Sequence, residues 1–280
     1  MHLPDPRNFS ITTPQLFSGA DKNFDIQKDT EAIERMSKYL DTLDPSLETF
    51  EYLPYREECL KIAPLWLYNE ASNEAKALFK ETTAWDENNQ TLIVIIYDYE
   101  GRMISIKRRK YRNGKWVTYK GTHPNHQCIY RDNEKLLPLF VIEGHHDLLS
   151  AILLDYDEIT TFNFLMIPTA NYLSFNDREL RLMEGRYVYF LPDTGEKSNA
   201  GIQCMSRLAQ QVEHTAKHVK VVNLRAFLKE NGIIVPDGKL DLTDALFLWQ
   251  NGTLSFVHRL LHYCDRNLFF PKMEVNHAYQ

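Results

Sequence analysis

The chain has 280 residues, of which 44% are hydrophobic and 25% charged, a composition that excludes a disordered protein and leaves material for a substantial core. Its formal net charge of −6 excludes a generally cationic surface that would bind nucleic acid everywhere. It contains no apolar run of the ~18 residues needed for a membrane helix, and its start has no secretory signal, so we expect a cytoplasmic protein with no membrane partner.

The N-terminal region, residues 1–88, is predicted to be mostly helical. One helix is expected from a cap at Asp29 or Thr30 to about Leu43, where apolar residues recur at helical spacing. A second helix is expected from Glu70 to Lys80. The pattern does not indicate a function for this region.

Residues 89–135 predict a basic antiparallel β subdomain. Runs rich in β-branched residues alternate with the turn signals Glu100-Gly101 and Asn113-Gly114. The predicted strands are 91–97, 103–106 and 116–119. We expect a meander whose outer strand is basic.

Eight basic residues fall within this subdomain with no acid between them. They are Arg102, Lys107, Arg108, Arg109, Lys110, Arg112, Lys115 and Lys120. Aromatic residues are interleaved with them, which suits phosphate tracking with base stacking on single-stranded nucleic acid. A solvated hairpin edge protected by lysines gives the same pattern.

From Leu139 onward the pattern alternates strand and helix, which is typical of an α/β domain with a small, mostly parallel sheet covered by helices on both faces. The predicted strands are 139–143, 163–167, 187–191 and 219–223. The predicted helices are 146–154, 176–184, 199–213 and 243–250. This domain is expected to span residues 136–250, and residues 251–280 are expected to form a closing helix, near 254–265, and a tail.

Acidic residues recur where these strands end. Glu143 ends a buried strand and is followed by a glycine and then by Asp147, while Asp193 follows another strand. Asp241 and Asp244 precede the last helix of the domain. Open α/β sheets place ligands at the carboxyl ends of their strands, so these side chains are expected to converge. Close carboxylates repel each other unless a cation lies among them, and oxygen ligands favour Mg²⁺ or Mn²⁺.

The spacing Glu143-Gly144-x-x-Asp147, then Asp193, then Asp241-x-x-Asp244 resembles the Toprim domain shared by primases, topoisomerases and several nucleases. The basic segment before it is similar to the basic subdomain that precedes Toprim in bacterial and phage primases. The resemblance covers about residues 90–250 and implies Mg²⁺ or Mn²⁺ as cofactor.

By this resemblance, Glu143, Asp193 and Asp241 match the family's catalytic, metal-holding acids. Asp147 and Asp244 match further acids of the site and are also expected to be metal ligands. One departure is that Gly195 stands where the family's second Asp-x-Asp acid belongs. The adjacent Glu196 is the expected substitute metal ligand. An alternative interpretation is purely structural: Glu143 is an acid in a turn, and Asp147 is an acid in the first turn of a helix, where the helix dipole favours it.

Two further expectations concern histidine and cysteine. His145 and His146 occupy the variable positions of the motif and are expected to be exposed loop residues. The cysteines are far apart without a Cys-x-x-Cys pair, which predicts buried thiols and no zinc in this chain.

Three functions are compatible with these motifs. The first is a primase-type polymerase core that joins ribonucleoside triphosphates on a single-stranded DNA template, with a helicase or a zinc-binding module supplied in trans. The second is a metal-dependent Toprim nuclease, because water can replace the 3′-hydroxyl as nucleophile. The third is a catalytically weakened adaptor that binds nucleic acid.

Overall fold

A computed structural model of the chain describes residues 17–18, 30–43, 50–97, 103–119, 128–132, 137–155, 162–195 and 199–265. Within these ranges, every helix is too short or too polar to cross a lipid bilayer. All four cysteines are buried free thiols, which confirms the prediction of buried thiols.

Short helices make up most of the described N-terminal part. They are α1 (Thr30–Leu40), α2 (Leu53–Cys59), α3 (Leu65–Glu70) and α4 (Asn73–Glu81). The predictions of α1 and α4 are confirmed, and the hydroxyl of Ser72 caps α4 by accepting the N–H of Ala75. Helices α2 and α3 were not predicted because six or seven residues are too few to show a helical period.

The described residues of the basic region form an antiparallel sheet in the order β2-β3-β4-β5. Its strands are β2 (Thr83–Asp86), β3 (Thr91–Tyr97), β4 (Met103–Lys110) and β5 (Trp116–Thr118). The meander is confirmed, but the prediction of a basic outer strand is wrong. The basic strand β4 is internal, because Arg108 pairs with Ile93 on one side and with Val117 on the other.

A second sheet lies in the later part of the chain, with the strand order β1-β6-β8-β7-β9-β10 among the described residues. Its strands are β1 (Phe17–Ser18), β6 (Ile129–Arg131), β7 (Leu139–Glu143), β8 (Asn163–Ile167), β9 (Tyr187–Phe190) and β10 (His218–Val221). The last four strands are parallel, and β6 and β1 add an antiparallel edge. The mostly parallel sheet and the α/β class are confirmed. The division into four regions stays a prediction, and β6 joins this sheet although that division places it with the basic strands.

Helices cover both faces of the second sheet, as predicted. They are α5 (Gly144–Leu153), α6 (Asp177–Met183), α7 (Ala200–Val212), α8 (Leu224–Glu230), α9 (Leu242–Trp249) and α10 (Thr253–Cys264). Alternate residues of β7 point to opposite faces, so Phe140 and Ile142 pack in one core cluster while Leu139 and Val141 pack in the other. Each such buried side chain contributes roughly 1.5–3 kcal/mol. This packing fixes the carboxyl end of β7, where Glu143 lies.

Asp155 links the second sheet to the N-terminal helices through an ion pair and a backbone hydrogen bond. The guanidinium of Arg131 on β6 lies 2.5 Å from Asp155, just after α5. The carbonyl oxygen of Asp155 accepts the N–H of Ser72 at the start of α4. Strand β6, α5 and α4 are therefore held in one arrangement.

Candidate functional site

Glu143 and Asp193 leave neighbouring strands at the same edge of the parallel sheet. Strand β7 pairs with β9 with Val141 opposite Phe190, and the next N–H, of Leu191, donates to the carbonyl of Val141 at 2.8 Å. Glu143 ends β7, and Asp193 follows β9 by three residues. The parallel register therefore puts the two acids side by side.

An isolated antiparallel bridge brings the third acid to the same place. The N–H of Thr194 donates to the carbonyl of Leu240 at 2.9 Å, and the N–H of Leu240 donates back to Thr194 at 2.7 Å. In an antiparallel pair the flanking residues face each other, so Asp193 lies opposite Asp241. The sheet edge and this bridge together assemble Glu143, Asp193 and Asp241.

The carboxylate of Glu143 is held in an unfavourable environment. Burial first, and then repulsion from Asp193 and Asp241, raises the pKa of Glu143 to about 7, while Lys239 opposes the rise. Within the described part of the chain, Oε2 of Glu143 and Oδ1 of Asp193 are buried without a hydrogen-bond partner. Buried polar atoms of this kind are rare and are often found at sites that bind a ligand or an ion.

Lys239 was not among the predicted site residues, yet its ammonium lies within the acid cluster. Its Nζ is 2.8 Å from Oδ2 of Asp193 and 3.6 Å from Oδ2 of Asp241. Burial alone would lower the pKa of Lys239, but attraction to these two carboxylates raises it above its ordinary value. The sequence does indicate the contact between Lys239 and Asp241, because residues two apart in an extended segment lie on the same side.

Asp147 is buried completely and serves the start of α9. Its carboxylate accepts the backbone N–H of Thr243 at 3.0 Å, the hydroxyl of Thr243 at 2.8 Å and the N–H of Leu242 at 3.3 Å. These donors occupy both oxygens. The structure therefore argues against the predicted role of Asp147 as a metal ligand and gives it a role in positioning α9.

Asp241 and Asp244 form a capping box at the N-terminus of α9. Oδ1 of Asp241 accepts the N–H of Asp244 at 2.8 Å, and Oδ2 of Asp244 accepts the N–H of Asp241 at 3.3 Å. Asp241 thus directs only Oδ2 toward the cluster. Burial, followed by repulsion from Asp241, raises the pKa of Asp244 to about 6.

The acids offer the type of ligand atom that a divalent cation prefers, but in the described part of the chain their side chains are not arranged around a common point. Glu143 and Asp193 offer buried oxygens without partners, and Asp241 offers one oxygen, all of them hard ligands suited to Mg²⁺ or Mn²⁺. Among the residues described, however, no three His, Cys, Asp or Glu side chains are arranged to hold an ion. Lys239 lies between two of the acids. The predicted ligand Glu196 lies outside the described residues.

Gly201 in the first turn of α7 allows a close backbone approach to Asp193. A Cβ at this position would lie 2.5 Å from the carbonyl oxygen of Asp193, a distance that real side chains do not tolerate. A glycine is therefore required here, and the first turn of α7 fixes the backbone that carries Asp193.

The two histidines of the motif are not in a loop, so that prediction is wrong. Both lie in the first turn of α5, because Gly144 takes a positive φ of 81° and starts the helix immediately after β7. His145 is only 5% exposed, and its ring is 6.2 Å from that of Trp116 on β5. Burial lowers the pKa of His145 to about 3, so the ring is neutral. These contacts place the basic sheet against the helix that follows Glu143.

Arg109 is committed to a buried ion pair. Its Nε lies 2.6 Å from Oε1 of the fully buried Glu58 on α2, and its Nη1 donates to the carbonyl of Gly114 at 3.0 Å. Its guanidinium also lies over the ring of Trp116. The structure therefore argues against Arg109 as a nucleic-acid contact and shows it joining β4 to α2.

The other basic residues of the subdomain differ in how exposed their side chains are. Lys107 is 8% exposed and donates to the hydroxyl of Thr118, and Arg108 lies over the ring of Tyr119. The side chains of Lys110, Arg112 and Lys115, around the turn between β4 and β5, are exposed. Arg102 and Lys120 lie outside the described residues. The exposed turn thus carries the basic residues available to a large ligand.

No protein-family model matches the chain, and no curated protein matches it. Among solved structures, it is similar to the DnaG primase catalytic domain bound to ssDNA, with 14% identity, a TM-score of 0.48, and coverage of 84% of this chain and 81% of that one. The primase of Aquifex aeolicus (zinc-binding and RNA polymerase domains) has 12% identity, a TM-score of 0.48 and coverage of 87% and 63%. The primase fragment of the bacteriophage T7 primase-helicase protein has 15% identity, a TM-score of 0.39 and coverage of 68% and 71%.

These neighbours are catalytic cores of bacterial and phage primases, the group that the motifs resemble. At these scores the similarity carries no argument about chemistry.

Proposed function

We propose that this chain is a primase-type nucleotidyltransferase that joins ribonucleoside triphosphates on single-stranded DNA with a divalent cation. One observation carries the proposal. Glu143 and Asp193 leave adjacent parallel strands with buried carboxylate oxygens that have no partner within the described residues, and Asp241 lies opposite Asp193. Such a cluster of negative charge is stabilised by binding a cation.

In this proposal Glu143, Asp193 and Oδ2 of Asp241 hold the ion. A bound Mg²⁺ or Mn²⁺ would supply Lewis-acid stabilisation of the charge on the reacting phosphoryl group. Asp147 and the capping box keep α9 in place, so that Asp241 stays opposite Asp193. Asp147, Asp244 and the predicted ligand Glu196 are not needed as direct ligands.

The exposed cations of the β4–β5 turn, Lys110, Arg112 and Lys115, are proposed to contact the template phosphates. A helicase or a zinc-binding module would act in trans, and the cytoplasm is the proposed location. If each of the three residues neutralises one phosphate, their joint replacement by alanine lowers the salt dependence of binding by roughly 0.7 per contact for single strands. Fluorescence anisotropy with labelled single-stranded DNA over a salt series measures this slope.

The test of the reaction is synthesis of labelled RNA on single-stranded DNA by the purified chain with Mg²⁺ or Mn²⁺. We expect Glu143→Gln and Asp193→Asn each to lower the rate by on the order of 100-fold, because each removes charge that holds the cation. Glu184→Gln, at an exposed position after α6, is the matched control and should keep full activity. Absence of product from the unmodified chain at high concentration would count against the proposal. Metal-dependent cleavage of DNA without nucleotides would assign the site to a nuclease.

A second candidate is a non-catalytic nucleic-acid-binding domain, and the position of Lys239 favours it. Its ammonium already neutralises part of the acid cluster, and Gly195 stands where the resemblance expects a further acid. In that case single-stranded DNA binding remains strong and salt-dependent, and Glu143→Gln leaves it unchanged. Parallel binding and synthesis assays on the same variants separate the two candidates.

A further inference from the structure

The ammonium of Lys239 lies within the acid cluster, and its contacts affect how the cluster can bind a metal ion. Its Nζ lies 2.8 Å from Asp193 and 3.6 Å from Asp241, using one carboxylate oxygen of each. Asp193 and Asp241 are two of the three acids proposed to hold the divalent cation. A divalent ion bound by these oxygens would be too close to the ammonium for both to stay, because like charges at such distances repel strongly.

The side chains differ in their freedom to move. The side chain of Lys239 is 60% exposed, whereas those of Asp193 and Asp241 are 18% and 7% exposed. The two acids are also fixed by the Thr194–Leu240 bridge and by the cap of α9. Of the three partners, only the long lysine side chain can leave the cluster without disturbing buried structure.

The balance of charge favours replacement of the Lys239 ammonium by a divalent cation over binding of both at once. One ammonium faces three carboxylates, so Lys239 neutralises only part of the cluster, and Oε2 of Glu143 and Oδ1 of Asp193 keep no partner within the described part of the chain. A divalent cation carries twice the charge and can also engage these two oxygens. The lysine therefore weakens divalent binding without preventing it.

We propose that Lys239 acts as a tethered cation that occupies the acid cluster in the absence of metal, competes with the divalent ion for Asp193 and Asp241, and is released when the ion binds. This inference rests on the proposed metal site, and it deepens that proposal by naming the residue that sets the affinity. The released ammonium is then free to face an anionic ligand.

The first test is isothermal titration of Mn²⁺ into the full chain, into Lys239→Met and into Lys229→Met. Methionine keeps most of the length of the side chain and removes the charge. Lys229, exposed near the end of α8, is the matched control. We expect at least ~10-fold tighter Mn²⁺ binding by Lys239→Met than by the unmodified chain, and no change for the control. Equal or weaker binding by Lys239→Met, or no Mn²⁺ binding by any of the three proteins, overturns the inference.

The second test uses the unmodified chain, so it remains decisive if Lys239→Met does not fold. Lysines are acylated briefly with an amine-reactive ester, with and without Mn²⁺, and each site is quantified by mass spectrometry. We expect labelling of Lys239 to rise severalfold with Mn²⁺, because the ion pair that shields it is broken, while labelling of Lys229 stays constant. Unchanged labelling of Lys239 at saturating Mn²⁺ overturns the inference.

The outcomes separate this inference from the proposed function. Tighter Mn²⁺ binding by Lys239→Met in a chain that makes no RNA supports the tethered cation and contradicts the primase proposal. RNA synthesis by a chain whose Mn²⁺ affinity does not depend on Lys239 supports the primase proposal and overturns the tethered cation.

Discussion

Replacing Glu143 by glutamine should make the metal-free protein more stable near neutral pH. The folded protein raises the pKa of Glu143 from 4.5 to about 7, so the native state holds a proton that the unfolded chain has already lost. Between these two values the native state binds more protons, and the free energy of unfolding of the unmodified protein therefore falls as pH rises. Above about pH 7 this loss is complete. Glutamine has no charge and removes this dependence.

The shift corresponds to about 3 kcal/mol as an upper limit, and since Glu143 is only partly buried, solvent screening reduces the expected effect to roughly 1–2 kcal/mol. Urea unfolding with EDTA present, at about pH 5 and about pH 8, measures it. We expect similar stabilities at the lower pH, and Glu143→Gln to be the more stable protein at the higher pH. A variant that is equally or less stable than the unmodified protein at about pH 8 would refute the electrostatic reasoning about this site.

Three further substitutions test buried contacts of the fold. Asp147→Ala should lower the free energy of unfolding by about 1–3 kcal/mol, because it leaves the donors of α9 without their buried acceptor. An unchanged or higher midpoint in urea unfolding would contradict this. Arg109→Ala should lower the free energy of unfolding by about 2–4 kcal/mol, because the buried Glu58 loses its main partner. An unchanged midpoint in urea unfolding would show that the ion pair is dispensable. Gly201→Ala should lower the free energy of unfolding by about 1–3 kcal/mol and weaken Mn²⁺ binding, because the added Cβ displaces the backbone of Asp193. An unchanged Mn²⁺ affinity in calorimetry would contradict this prediction.

The elements from residue 139 onward were predictable because their signals are local. Strand β7 is a continuous buried apolar run, and α7 has the amphipathic period of a helix that covers a sheet. Strands β1 and β6 have only two and three residues, and their pairing with each other joins segments more than a hundred residues apart. A single sequence carries no signal for such a pairing.

The candidate site was predictable as a set of acids but not as a set of contacts. Glu143 and Asp193 could be placed together because both follow buried strands of one parallel sheet. The pairing of Arg109 with Glu58 could not be foreseen, because the two residues are 51 positions apart and the pleat of β4 decides which basic side chains turn inward. The same limit applies to Asp147, whose partner Thr243 is 96 residues away.

The two acids of the Glu143-Gly144-x-x-Asp147 segment have opposite roles in the fold, although both are buried or partly buried. Asp147 is satisfied by three donors and holds the start of α9, whereas Glu143 keeps a buried oxygen without a partner in the described structure. Burial and repulsion from Asp193 and Asp241 raise the pKa of both carboxyls. Because α9 begins at Asp241, the satisfied acid fixes one side of the cluster that the unsatisfied acid completes. Loss of Asp147 should therefore displace Asp241 and weaken cation binding without removing a ligand, whereas loss of Glu143 should weaken cation binding and leave α9 in place.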